Sequence, residues 1–212
     1  MVEPRVAGSL WSVPHHERLQ RAVSAARDGL GLLHWDVADG ALGPAGGFSP
    51  QEARQIALAA GVRSEAHLMV ANPLEHVDSW ASWCEVVVVH LESHDWQAAL
   101  ARIATHGSLG GVAVSPQTHT SLVPDSASAV LVMSVEPGHA GSPFSLSALP
   151  RLSGLVSSST PPRFLGLDGG VKRAHALSAG QAGANWLVSG TDLFGAHDVG
   201  EWIAECTAAL TP

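Results

Sequence analysis

Only two cysteines occur in the 212 residues, Cys84 and Cys206. They lie far apart and share no motif with a third ligand, which argues against a disulfide framework and against a thiolate metal site. A reduced pair in a cytoplasmic protein is the expected state, with both residues in predicted helices, Cys84 just before a strand. Cations are also scarce. Eleven Lys and Arg stand against nineteen Asp and Glu, a formal net charge of −8 with no basic run. A phosphate backbone is held by clustered cations, so nucleic acid is excluded as a partner. No apolar segment approaches the roughly 20 residues that span a bilayer, so no membrane partner is expected. The first residues, MVEPRVAGSLW, lack a basic stretch followed by an apolar one, and no secretory signal is evident. No linker rich in Gly, Ser or Pro divides the chain, and residues 1–212 are expected to form a single domain.

What the chain does have is a hydrophobic content of 46% with positive mean hydropathy. That supports a sizeable core and strands buried on both faces. Short apolar runs alternate with amphipathic segments from end to end. The runs RVAGSLWS, LLHWDVAD, EAHLMV, EVVVVHLE, GGVAVSP, AVLVMSVEPG, RFLGLDGG and NWLVSGTDLFG read as eight strands. The four consecutive valines of the fourth are the clearest, because β-branched side chains favour a pleated surface over a helix. Helices are expected between them. Ser49 is placed to cap one ahead of Pro50, Asn72 another ahead of Pro73, and Gly107 to close a third. The segment TSLVPDSA makes a weak, short helix, and Pro150 interrupts the one in SLSALPRLSGLVSS. Eight βα units with short connections call for a parallel sheet closed as a (β/α)8 TIM barrel, compact for its class. An open doubly wound sheet would not normally need eight consecutive units of this regularity.

Four residues near the ends of three of these strands carry the chemistry: His34, Asp36, His67 and Asp168. Alternation along a strand puts His34 and Asp36 on one face, with Trp35 pointing away. Two imidazoles and two carboxylates suit a divalent transition metal, and zinc, iron and manganese all accept such a shell. Each residue taken alone has an ordinary reading. A His-x-Asp pair among twelve histidines is commonplace, His67 before LMV can be a core histidine, and Asp168 before two glycines can simply start a turn. Met69 and Met133 can be core fillers, and His90 a structural residue or one at a site's edge.

The blocks LHWDVADG, EAHLMVANP, VLVMSVEPGHAG, LDGGVKRAHALSAGQAGAN and VSGTDLF together resemble the motif set of the ribulose-phosphate 3-epimerases, in that family's order and at about its spacing. The resemblance covers most of the chain and implies a metal-dependent (β/α)8 barrel enzyme acting on a phosphorylated ketose, with self-association into a homo-oligomer. It implies one divalent metal ion (Zn, Fe or Mn) held by His34, Asp36, His67 and Asp168, and acid–base catalysis by Asp36 and Asp168. The implied substrate-binding residues are Ser9, His67, Met69, Met133, Gly138, His139, Gly141, Asp168, Gly169, Gly170, Gly190 and Thr191. Among these, backbone amides at Gly141, Gly169, Gly170, Gly190 and Thr191 hold the phosphate. Glycine lets a backbone approach an anion with no Cβ in the way, and Thr191 can add a hydroxyl. No lysine or arginine sits inside the two phosphate motifs, although Lys172 and Arg173 follow closely.

Several positions depart from the family pattern. Ala38 stands where the family usually has methionine, and the following loop is the small ALGPAGG. The sixth-strand loop reads Glu136-Pro137-Gly138-His139-Ala140-Gly141, and Ser115-Pro116 replaces asparagine-proline on the fifth strand. These changes leave the quartet intact and alter the walls around it. D-ribulose 5-phosphate and D-xylulose 5-phosphate are therefore the simplest substrate pair, with a six-carbon or specialised ketose phosphate as the alternative. A non-catalytic sugar-phosphate-binding barrel would not need both aspartates, and a metal-free lyase or synthase has no reason to hold the His-x-Asp pair.

Overall fold

Eight parallel strands close on themselves in the computed structural model, which describes residues 3–211. In chain order they are β1 (Arg5–Ser9), β2 (Leu32–Ala38), β3 (Arg63–Met69), β4 (Val86–His90), β5 (Leu109–Val114), β6 (Ala129–Met133), β7 (Phe164–Asp168) and β8 (Trp186–Ser189). Each pairs with the next, and β8 pairs with β1 to complete the cylinder. The architecture is the expected (β/α)8 TIM barrel.

Alternation divides each strand between the inside of the barrel and the layer under the helices. In β4, Val86, Val88 and His90 face inward while Val87 and Val89 face the helices, and all five are buried. This explains the unbroken valine run, since neither face meets water. Ala7, Leu32, Val86, Val88, Ala113, Ala129, Leu131, Phe164, Trp186 and Val188 form one apolar cluster inside the barrel. Trp35 points outward, edge-on to Phe48 with ring centres 5.1 Å apart. Register then aligns the polar layer above the cluster: Ser9 lies opposite His34, Asp36 opposite His67, and Met133 opposite Asp168.

The helices are α1 (Arg18–Arg27), α2 (Pro50–Ala60), α3 (Val77–Ala81), α4 (Trp96–Thr105), α5 (Ala148–Val156), α6 (Ala176–Gln181), α7 (Thr191–Phe194) and α8 (Val199–Ala209). Ser49 caps α2 as expected, accepting from the Glu52 amide at 3.2 Å. Gly107 follows α4 with φ +76°, the left-handed turn that ends a helix without steric cost. Three expectations fail. Asn72 makes no side-chain cap; its amide donates to Glu75 at 2.7 Å. Cys84 lies beyond the end of α3, outside any helix. The third failure is Pro150, which does not interrupt its helix: it sits in the first turn of α5, where no intrahelical amide bond is lost, and the helix runs through it. TSLVPDSA does hold a weak, short helix as expected, the three-residue 3-10 helix Thr120–Leu122, which Pro124 keeps from continuing. A two-residue strand, Gly46–Gly47, also folds the ALGPAGG loop back antiparallel to the end of β2. Both cysteines are free and buried. Among the described residues, no helix is long and apolar enough to cross a membrane.

Candidate active site and metal centre

The carboxyl ends of β2, β3 and β7 bring His34, Asp36, His67 and Asp168 together, with one ligand atom from each lying within 4.8 Å of all the others. Asp36 Oδ1 is 3.2 Å from His34 Nε2 and 3.4 Å from His67 Nδ1. Asp168 Oδ2 is 3.3 Å from His67 Nδ1 and 3.8 Å from His34 Nε2. Both nitrogens are buried and have no hydrogen-bond partner. Buried polar atoms are rarely left unpaired, so two such nitrogens aimed at two carboxylates fit a cation among them. The donor set suits a divalent metal and does not select one.

The groups around the quartet orient it. Ser9 Oγ donates to Asp36 Oδ2 at 2.6 Å, fixing one oxygen while the other faces the histidines. His34 Nδ1 lies 2.7 Å from Glu65 Oε1, which also accepts from Trp186 Nε1 at 3.0 Å. That bond leaves His34 Nε2 for the cluster, the arrangement usual for a metal-binding imidazole. His67 Nε2 lies 2.9 Å from His90 Nε2, and His90 Nδ1 lies 3.0 Å from Glu92 Oε2. Burial alone would lower the His34 pKa, but Asp36 and Glu65 outweigh it and raise the value well above 6.5. His67 is raised as well: the nearby Asp168 and Asp36 carboxylates overcome its burial. Burial opposes ionisation of Asp36, yet the two histidines hold its carboxyl well below the usual carboxylate range. His90 behaves differently, and burial keeps it below 6.5. Glu92 stays at about 2, because hydrogen bonds from His90 and Thr118 outweigh its burial.

Residues 5–194 match the ribulose-phosphate 3 epimerase family model. The chain belongs to this family. It is therefore an enzyme of the isomerase class. A ribulose-phosphate 3-epimerase of Aquifex aeolicus is 31% identical over 92% of this chain and 89% of its own length. One from Rhodospirillum rubrum is 31% identical over 97% of this chain and 93% of its own. Among solved structures, a 3-hexulose-6-phosphate synthase superposes with TM-score 0.69 at 18% identity, covering 98% of this chain and all of that one. Phosphoribosyl anthranilate isomerase from Thermus thermophilus gives 0.66 at 20%, over 97% and 98%. At such identities the two structures share the fold alone.

A cavity of about 450 Å³ opens above the quartet. Asp36 and Asp168 line it, whereas His34 and His67 lie fully buried below. The carboxylates thus face the cavity and the imidazoles do not. Ser9, Met69, Met133, Gly138, His139, Gly141, Gly169, Gly170, Gly190 and Thr191 also line it, so of the expected substrate-binding residues only His67 stands back. Of the two cations after the glycines, Lys172 reaches the cavity, while Arg173 pairs with Glu201 and Glu205 at 3.2 and 3.5 Å. The two glycine-rich loops are tied together by Asp192, whose Oδ2 accepts from the Arg173 amide at 2.8 Å. Sequence reasoning missed Trp11 and Asp192 on the wall, and Glu65 and Glu92 behind the histidines. The spacing held a signal for one of the last two: Glu65 stands two residues before His67 on β3, and strand alternation turns both toward the same side. Glu92 lies in the turn just past the end of β4, where alternation no longer applies.

Proposed function

We propose that the protein is a metal-dependent 3-epimerase of a phosphorylated ketose, most simply interconverting D-ribulose 5-phosphate and D-xylulose 5-phosphate. The observation that carries this reading is the pair Asp36 and Asp168, which face one cavity from strands separated by β8 and β1. Inverting a carbon beside a ketone requires taking its proton from one face and returning one to the other. Two positioned carboxylates meet that need, one as base and the other as acid, with their roles exchanged in the reverse direction. The protonated member gives its proton to C3 of the planar enediolate, and the other holds the proton it removed. His34, Asp36, His67 and Asp168 would hold a divalent cation (zinc, iron or manganese), which supplies Lewis-acid stabilisation of the negative charge developing on the substrate oxygens.

The remaining walls support the same reading. Ser9 holds Asp36 in orientation through its 2.6 Å bond. Met69 and Met133 are soft, apolar and buried, suited to shielding a reactive sugar from water. Gly138, His139 and Gly141 line the β6 side. Backbone amides at Gly141, Gly169, Gly170, Gly190 and Thr191 would take the phosphate, as loops after the seventh and eighth strands do in many such barrels. The reading includes a cytoplasmic location, consistent with two free buried cysteines, and a homo-oligomeric state.

Incubation with ribulose 5-phosphate in D₂O tests it. Deuterium at C3 and accumulation of xylulose 5-phosphate are expected, and the absence of both would overturn the proposal. A second reading keeps the chemistry and enlarges the sugar, because the ALGPAGG and EPGHAG loops that depart from the family pattern meet at the cavity mouth. Comparison of kcat/KM for five- and six-carbon ketose phosphates separates the two.

A further inference from the structure

We infer that His90 and Glu92 are positioning residues that hold His67 in the one tautomer able to serve a cation. The inference rests on the metal reading above and turns on where two protons sit. His67 has no solvent exposure, and its Nδ1 points at the Asp36 and Asp168 carboxylates with no hydrogen-bond partner. Its other nitrogen, Nε2, faces His90 Nε2 at 2.9 Å. Two imidazole nitrogens at that distance share one proton, and either ring can own it. What decides is the far side of His90. There Nδ1 lies 3.0 Å from Glu92 Oε2, an oxygen that accepts, so His90 carries its proton on Nδ1. His90 Nε2 is then a lone pair and His67 Nε2 must donate to it. In the neutral ring that a cation requires, the His67 lone pair then falls on Nδ1, aimed into the quartet.

Glu92 is itself held in place. Its Oε1 accepts from the Ser115 amide at 3.1 Å and from the Thr118 hydroxyl, leaving Oε2 for His90. The Ser115 hydroxyl also approaches His90 Nδ1, at 3.3 Å, and can adapt by rotating. The two metal-facing imidazoles are thus backed in parallel ways: His34 directly by Glu65, and His67 through His90 by Glu92. Plain packing of a buried histidine would not require this polarity. It would tolerate the opposite pair of tautomers, which puts a proton on His67 Nδ1 and removes it as a ligand.

The direct test is long-range ¹H–¹⁵N correlation NMR of the wild-type protein loaded with Zn²⁺. His90 protonated on Nδ1 and His67 on Nε2 are expected; a proton on His90 Nε2 would overturn the inference. A second test measures Zn²⁺ affinity by chelator competition, with melting of the metal-free proteins to verify folding. In Glu92→Gln, the amide cannot accept from both the Ser115 amide and His90 Nδ1. Affinity should fall about 10- to 100-fold, the usual loss when a partner behind a metal ligand is removed. His90→Leu should show a similar loss. Unchanged affinity in folded Glu92→Gln would sink the positioning role alone. A wild type that binds no divalent metal would sink the metal reading first.

Discussion

Gly43 and Pro137 meet across the mouth of the barrel so closely that a Cβ on Gly43 would overlap the Pro137 carbonyl oxygen. One residue belongs to the loop after β2 and the other to the loop after β6, two segments that depart from the family pattern. Gly138 makes a second close approach to the same loop, since a Cβ on it would stand 2.9 Å from the Pro44 carbonyl oxygen. The two unusual loops therefore form one wall. Gly43→Val should force them apart and enlarge the cavity at the sugar's far end. The expected outcome is a shift of at least about 3-fold in the ratio of kcat/KM for six- over five-carbon ketose phosphates, a transition-state difference of roughly 0.65 kcal/mol. Equal loss on both substrates would show that the wall does not discriminate between them.

Asp36→Asn and Asp168→Asn should each lower kcat by about 10²- to 10⁴-fold, the usual contribution of positioned acid–base groups. Either change also removes a charge from the candidate cation site, so metal content must be measured beside rate. A variant that keeps stoichiometric metal and still loses turnover separates proton transfer from ligation. Full activity in either variant would remove the paired-acid mechanism.

Much of this site was legible because strand alternation is a local rule. The His34-x-Asp36 spacing alone implies a shared face, and the opposite orientation of Trp35 follows from the same count. The valine run of β4 identified itself through β-branched residues. What stayed hidden depends on partners distant in sequence. Spacing turns Glu65 to the side of His67, but its partners appear only in the fold, where β2 supplies His34 and β8 brings Trp186 Nε1 to 3.0 Å. His90 could not be assigned because its role comes from His67 on the neighbouring strand. Asn72 is placed by local rules to cap a helix, yet its side chain only donates to Glu75. Nothing in the composition of ALGPAGG announces that Gly46 and Gly47 pair with β2.

Gly170→Ala probes the proposed phosphate end. Gly170 has φ +60°, and a Cβ there would stand 2.5 Å from the Ser142 carbonyl oxygen and 2.7 Å from the Phe144 amide nitrogen. The left-handed conformation costs an L-residue about 1–2 kcal/mol, and the contacts add displacement of the loop. KM for the phosphorylated sugar should rise about 10-fold or more, and inhibition by inorganic phosphate should weaken in parallel. An unchanged KM would move the phosphate elsewhere in the cavity.

The quartet also makes a pH prediction that differs between metal-free and metal-loaded protein. In the metal-free state Asp36 and Glu65, acting against burial, raise His34 well above 6.5, and Asp168 and Asp36 raise His67. A raised value means that the folded protein holds the proton more tightly than the unfolded chain. The stability this contributes is complete below about pH 6.5 and is lost as pH climbs through the folded values. Asp36 works in the opposite sense, since its carboxyl is depressed from 3.8. Its contribution is present above about pH 3.8 and disappears as pH falls toward the folded value. Metal-free protein should therefore show a falling Tm between pH 6.5 and 8.5. Ligation requires the same nitrogens to give up their protons, so metal affinity should rise across that interval and the Tm gain on adding Zn²⁺ should grow with it. Paired thermal melts with chelator and with Zn²⁺ at four or five pH values would check both trends. A metal-free Tm that rises from pH 6.5 to 8.5 would mean that the two histidines are not held protonated by the carboxylates around them.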